Sequence, residues 1–122
     1  MTPRLSIECT TKPFEDYLQN GGGIDFRLDE DRWKILKKGD VIEYWEDFSG
    51  WDKSPAPNAR KILCIIDDFI RVSSFQELIE KGQSLGFFGN DNPDDIVSSL
   101  RKYWNEDQES KIGVLGLKIK VI

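Results

Sequence analysis

Apolar and polar side chains alternate at three points along the chain, and each alternation predicts a strand. Leu5, Ile7 and Cys9 interleave with Ser6 and Glu8, and Ile24, Phe26 and Leu28 with Asp25 and Arg27. Near the end, Leu115, Leu117, Ile119 and Val121 interleave with Val114, Gly116, Lys118 and Lys120. Within Ile112 to Ile122 this reads as a strand pair or one long bent strand. Two further runs are apolar on both faces: Val41 to Trp45, broken only by Glu43, and ILCII within Arg60 to Phe69. Such runs suit a closed sheet or a position under a helix, and ILCII is the predicted central strand.

Helical spacing appears between the strands. Phe14, Tyr17 and Leu18 form an apolar stripe after Thr10 or Thr11 as cap and Pro13 in the first turn. Gly21, Gly22 and Gly23 stop that helix. A short charged helix starts near Asp29 to Asp31 and turns Trp33, Leu36 and Ile35 inward, and Gly39 leads out of it. Phe75 to Lys81 is helical, with Ser74 and Glu77 as a capping box and Gly82 as its end. After Pro93, the residues Ile96, Val97, Leu100, Tyr103 and Trp104 recur at helical spacing. Asp47 to Asn58 reads as a loop, Leu85 to Phe88 as an apolar loop segment and Asn105 to Ser110 as an exit. The order of elements predicts an α+β fold, a small, partly open mixed β-barrel with flanking helices, as a single domain over residues 1–122.

Charge and composition narrow the chemistry. A net charge of −5 disfavours binding along a polyanionic backbone but leaves room for a local basic pocket. With no histidine and only Cys9 and Cys64, neither in CxxC spacing, no metal site is expected. The two cysteines read as buried thiols, with a disulfide only if their strands are neighbours. GGGIDF lacks both GxGxxG and GxxxxGK[ST], and no cofactor is expected. No secretory pattern and no membrane-length apolar run stand out, so the expected setting is the cytoplasm, away from membranes. The sequence leaves the oligomeric state open.

Several motifs in order carry a family resemblance. Pro13-Phe14 with Leu18, a glycine turn, IDFRL at Ile24 to Leu28, Lys38-Gly39-Asp40-Val41-Ile42-Glu43-Tyr44, Ser74-Phe75-Gln76-Glu77-Leu78, and Ile112-Gly113-Val114-Leu115-Gly116-Leu117 together resemble the ASCH domain family of the PUA-like superfold. The resemblance spans nearly the whole chain. It implies a PUA-like barrel with a cleft for RNA or a nucleotide-like ligand. Some members resemble amidohydrolases acting on N4-acetylcytidine, with the pattern G-K-x-x-T-x-R. With Arg27 as anchor, the lysine position falls on Gly22 and the threonine position on Asp25, so the catalytic-type lysine is absent. Asp67, Asp68 and Glu77 lie where the family's later glutamate is found.

The candidate site follows from both lines. Asp25 and Arg27, two apart, share one face of a strand, as a solvated ion pair or as a pocket pair. In a pocket, Arg27 binds an anion or a base carbonyl and Asp25 orients it. Gly22 lines the same stretch, Trp51 offers a stacking face, and Lys12 or Lys53 adds a distant charge. Asp25 and Lys12 are the candidates for catalysis. The expected function is a binding domain for RNA, a nucleotide or a modified nucleoside. The alternatives are a small amidohydrolase acting on an N-acylated nucleoside, and a protein-interaction module using Trp51 and Leu85 to Phe88.

Overall fold

The computed structural model describes residues 2–84 and 92–122. Among these, the elements are β1 (Leu5–Thr10), α1 (Thr11–Asn20), β2 (Gly22–Leu28), a 3-10 turn (Asp31–Trp33), β3 (Val41–Asp47), β4 (Lys61–Val72), α2 (Phe75–Ser84), α3 (Pro93–Leu100), α4 (Glu106–Ile112) and β5 (Val114–Val121). The strands form one sheet in the order β1-β3-β4-β5-β2, antiparallel except between β1 and β3. The sheet curls into a half-barrel with helices against it, the α+β, barrel-like architecture that the patterning predicts.

ILCII lies in β4, the middle strand of the sheet. The first half of β4 pairs with β3, and the stretch from Cys64 onward pairs with β5, with a register break between Ile66 and Asp68. A bulge of this kind bends a strand and sharpens its twist, which lets one long strand serve both sides of a curl.

The curl separates two cores. Ile7, Ile42, Tyr44, Cys64, Ile66, Leu115 and Leu117 belong to the first, which also takes in Phe14 and Tyr17 of α1 and Trp33 and Leu36 of the β2–β3 connection. In the second, Ile24, Leu28 and Val114 meet Phe75 and Leu78 of α2, with Leu100 and Trp104 packed alongside. Gly116 makes the second core possible: a Cβ there would lie 2.7 Å from Leu78 Cδ1 and 3.1 Å from Ile24 Cγ2.

Several details differ from the sequence reading. Leu18 and Ile35 are exposed. A stripe centred on Phe14 and Tyr17 leaves Leu18 at its solvent edge. In a turn of period three, Trp33 and Leu36 eclipse one another, and Ile35 falls outside. Gly82 does not end α2, which continues to Ser84; one interior glycine costs a helix only about 1 kcal/mol. The exit at Asn105 to Ser110 is instead the start of α4, whose capping box pairs Asn105 with Gln108. The last strand is one strand, and β3 runs on to Asp47. Cys9 and Cys64 are free and buried, on strands separated by β3. The Leu85 to Phe88 segment lies outside the described residues.

Phe14 is fully buried in the first core. Phe14→Ala is expected to lower unfolding free energy by about 3–5 kcal/mol. Leu18→Ala on the same helix should stay within about 0.5 kcal/mol. Urea unfolding monitored by tryptophan fluorescence measures both.

Candidate functional site

β2 is an edge strand whose two faces meet different cores. Its apolar face supplies Ile24 and Leu28 to the helical layer. Its other face carries Asp25 and Arg27, and both are buried, at 6% and 7% exposure. The surface ion pair that the alternation allows is therefore not what forms. Arg27 donates through Nε to both carboxylate oxygens of Asp25, each at 3.0 Å. Tyr44 Oη donates to Asp25 Oδ2 at 2.7 Å.

These contacts cross the curl. β3 and β2 are three steps apart in the sheet, about 14 Å if it were flat, and β1 and β2 are four steps apart, about 19 Å. Yet Arg27 Nη2 donates to the main-chain carbonyl of Glu8 on β1 at 2.6 Å, and Nη1 donates to Glu8 Oε1 at 3.0 Å. One guanidinium thus joins the two edges of the sheet.

The network continues outward. Arg32 Nη2 donates to the same Glu8 Oε1 at 3.1 Å. Its guanidinium lies 4.0 Å from the Trp33 ring centroid, and that of Arg27 lies 5.2 Å from the same ring. Trp33 is itself held by its indole N–H, which donates to the Leu28 carbonyl at 3.1 Å. The Glu8 and Arg32 side chains are 35% and 47% exposed, against 8% for Arg27, so the chain of charges runs from the interior to solvent.

Burial and charge set the protonation states. Burial works to raise the Glu8 pKa, but Arg27 and Arg32 outweigh it and hold the carboxyl below its ordinary value. Burial alone would lower the Arg27 pKa; Asp25, Tyr44 and Glu8 reverse this and keep it charged. Burial, then Asp25, raises the Tyr17 and Tyr44 phenols and the Cys9 thiol, and pushes Cys64 up to about 12. These thiols are protonated at neutral pH and are not poised nucleophiles. At its solvent end, the network presents one carboxylate and one guanidinium, and the guanidinium covers the buried Trp33 ring.

The other predicted residues lie elsewhere. Lys12 pairs with Asp16 along α1, at 2.7 and 2.8 Å. Gly22 has φ +146°, and a Cβ there would sit 2.2 Å from the Ile119 carbonyl oxygen, so it serves the close approach of β2 to β5. Trp51, 68% exposed, packs its ring 4.9 Å from Tyr103. Tyr103 lies against Trp104, and Trp104 against Phe75, so these rings lead into the second core. Asp67 pairs with Lys118 and Lys120, Asp68 with Lys38, and Asp40 accepts from the Lys37 amide.

Sequence reasoning missed Glu8, Arg32, Tyr44 and Trp33 as members of one network. Tyr44 did carry a signal: a tyrosine in a strand apolar on both faces needs a polar partner for its hydroxyl. Glu8 carried none, because an acid on a half-buried edge strand reads as solvated.

No family model matches the chain, and no curated protein matches it. Solved structures do. The chain is similar to the hypothetical protein PH0355, at 20% identity over 97% of this chain and 98% of that one, with a TM-score of 0.75. It is also similar to the protein PF0455 from Pyrococcus furiosus, at 18% identity over 97% and 96%, with a TM-score of 0.65. At such identities the likeness shows a shared fold. No helix among the described residues is long and apolar enough to cross a membrane.

Arg27→Ala strands the buried Asp25 carboxylate and is expected to cost about 3–5 kcal/mol in urea unfolding. Because the folded-state pKa of Glu8 is depressed, its contribution to stability is present above the ordinary glutamate value of 4.5 and is lost as pH falls through the lower, folded value. Glu8→Gln should therefore flatten the acid limb of stability against pH, measured as urea midpoints from pH 7 to pH 3.

Proposed function

We propose that this chain is a PUA-like, ASCH-type domain that binds RNA, a nucleotide or a modified nucleoside at the mouth formed by Glu8 and Arg32, with the buried Trp33 ring beneath Arg32 as its floor. One observation carries the reading: a buried Asp25–Arg27–Tyr44 network that ends, at the surface, in a paired carboxylate and guanidinium, the guanidinium resting on the buried Trp33 ring. Burying an ion pair brings little net stability over an apolar replacement, and perturbed charge clusters gather at functional sites. A guanidinium donates to base carbonyls, ring nitrogens or phosphate oxygens, and a carboxylate accepts from exocyclic amino groups. In this reading, Arg27 reaches the ligand through Nη1 alone, since Nε and Nη2 are held by Asp25 and the Glu8 backbone.

The ordered ASCH-like motifs and the fold likeness support the scaffold. The acidic net charge favours a local contact over tracking along a backbone. Trp51, exposed and braced by Tyr103, is a separate stacking face, and base stacking on such a ring is worth roughly 1–3 kcal/mol. The binding reading is preferred to hydrolysis because glycine and aspartate hold the family's lysine and threonine positions at Gly22 and Asp25.

Protein-detected NMR titration with nucleosides, nucleotides and short RNAs, N4-acetylcytidine included, tests the reading. The expected result is shift changes clustered at Glu8, Asp25 to Arg27, Arg32 and the Trp33 indole. No shifts across the panel would overturn it, and release of acetate from N4-acetylcytidine would replace it with the amidohydrolase.

A further inference from the structure

Two guanidiniums converge on a single carboxylate oxygen at the mouth. Arg27 Nη1 and Arg32 Nη2 both donate to Glu8 Oε1, at 3.0 and 3.1 Å. Two donors from different elements aimed at one anionic oxygen form the usual clamp for an oxyanion, here filled by a residue of the chain itself. We propose that Glu8 is an internal stand-in for a phosphodiester of single-stranded RNA, and that the RNA binds by displacing the Glu8 carboxylate from between Arg27 and Arg32. The inference rests on the function proposed above and names the ligand group that the mouth takes.

Three features fit displacement. First, the link between the sheet edges does not depend on the Glu8 carboxylate. The link between β1 and β2 runs through the Glu8 main-chain carbonyl, which holds Arg27 Nη2 at 2.6 Å whatever the side chain does. Second, the carboxylate and its outer partner are accessible, while Arg27 is fixed from behind by Asp25. The clamp is thus preorganised on its inner half and adjustable on its outer half, where Arg32 lies over Trp33 at 4.0 Å. Third, the charge held between the two guanidiniums is a single negative one. Arg27 and Arg32 face Asp25 and Glu8, two cations against two anions, with Glu30 a weaker neighbour of Arg32 at 3.8 Å. Directly between the two guanidiniums, a singly charged phosphodiester puts back the single charge that Glu8 takes out, and it adds less repulsion against the displaced Glu8 and Glu30 than a phosphomonoester, near −2 at neutral pH. A phosphodiester also has two non-bridging oxygens, one for each guanidinium. The displaced carboxylate then lies at the rim, where it can accept from a ribose hydroxyl or a base amino group.

The test compares wild type, Glu8→Gln and Arg32→Ala for binding of a fluorescent single-stranded RNA hexamer across a salt series. Glutamine keeps an acceptor toward Arg27 and Arg32 but removes the competing charge. Glu8→Gln should bind about two- to fivefold more tightly than wild type, the scale of an exposed ion pair. Arg32→Ala should bind more weakly, with the slope of log K against log salt reduced by roughly 0.7, one phosphate contact on a single strand. If wild type binds the hexamer and Glu8→Gln binds equally or more weakly, Glu8 is a ligand contact and not a competitor; the displacement idea fails while the function stands. If no variant binds the hexamer and nucleosides are silent as well, both fail.

Discussion

A five-stranded sheet that curls without closing leaves two unpaired edges facing one another, and in this chain one guanidinium spans them. Arg27 stands on β2, takes Asp25 from its own strand, and reaches the Glu8 carbonyl on β1 at 2.6 Å. Unprotected edges invite pairing with other chains, and proteins blunt them with charges, bulges or covering elements. The device here is a side chain that satisfies an edge carbonyl from inside the curl. Much else follows from it. The curl brings Tyr44 within 2.7 Å of Asp25, places Tyr17 and Trp33 around the same charges, and sends the apolar face of β2 outward to α2.

Holding a seam with buried charge has a chemical consequence. The guanidinium cannot be surrounded by hydrocarbon alone, so acids and phenols accompany it inward, and in this chain one end of the network meets the surface. That end is Glu8 with Arg32 over Trp33. The residues that join the edges of the half-barrel therefore also place charged donors and an acceptor at the surface. The contacts divide within single residues: Arg27 Nε and Nη2 hold Asp25 and the Glu8 carbonyl while Nη1 bonds the Glu8 carboxylate, and that carboxylate also meets Arg32 at the exposed end.

Much of this architecture is legible in the chain. The alternations at Leu5 to Cys9 and Ile24 to Leu28, the apolar runs around Tyr44 and Cys64, and the stripes of α1 and α2 are local signals, and the elements they predict are present. α4 was legible as well, through Asn105 and Gln108, but its helix has little apolar periodicity to draw attention to it. The side of β2 that meets the first core was not legible. Alternation says that Asp25 and Arg27 share a face; only the curl, a property of five strands together, decides that this face is interior. Glu8 and Arg32 escaped notice for a related reason, since each looks solvated until a partner far along the chain arrives.

Native-state amide hydrogen exchange on wild type and Arg27→Met tests the seam most directly. Methionine keeps much of the arginine's length and apolar stem but cannot reach the Glu8 carbonyl with a donor. If Arg27 joins the edges, protection should fall selectively in β1, β2 and the intervening α1, while the β4–β5 ladder keeps its wild-type rates relative to global stability. Relative to global stability, uniform change across all five strands, or unchanged protection in β1 and β2, would contradict the account and leave Arg27 as an ordinary buried ion pair.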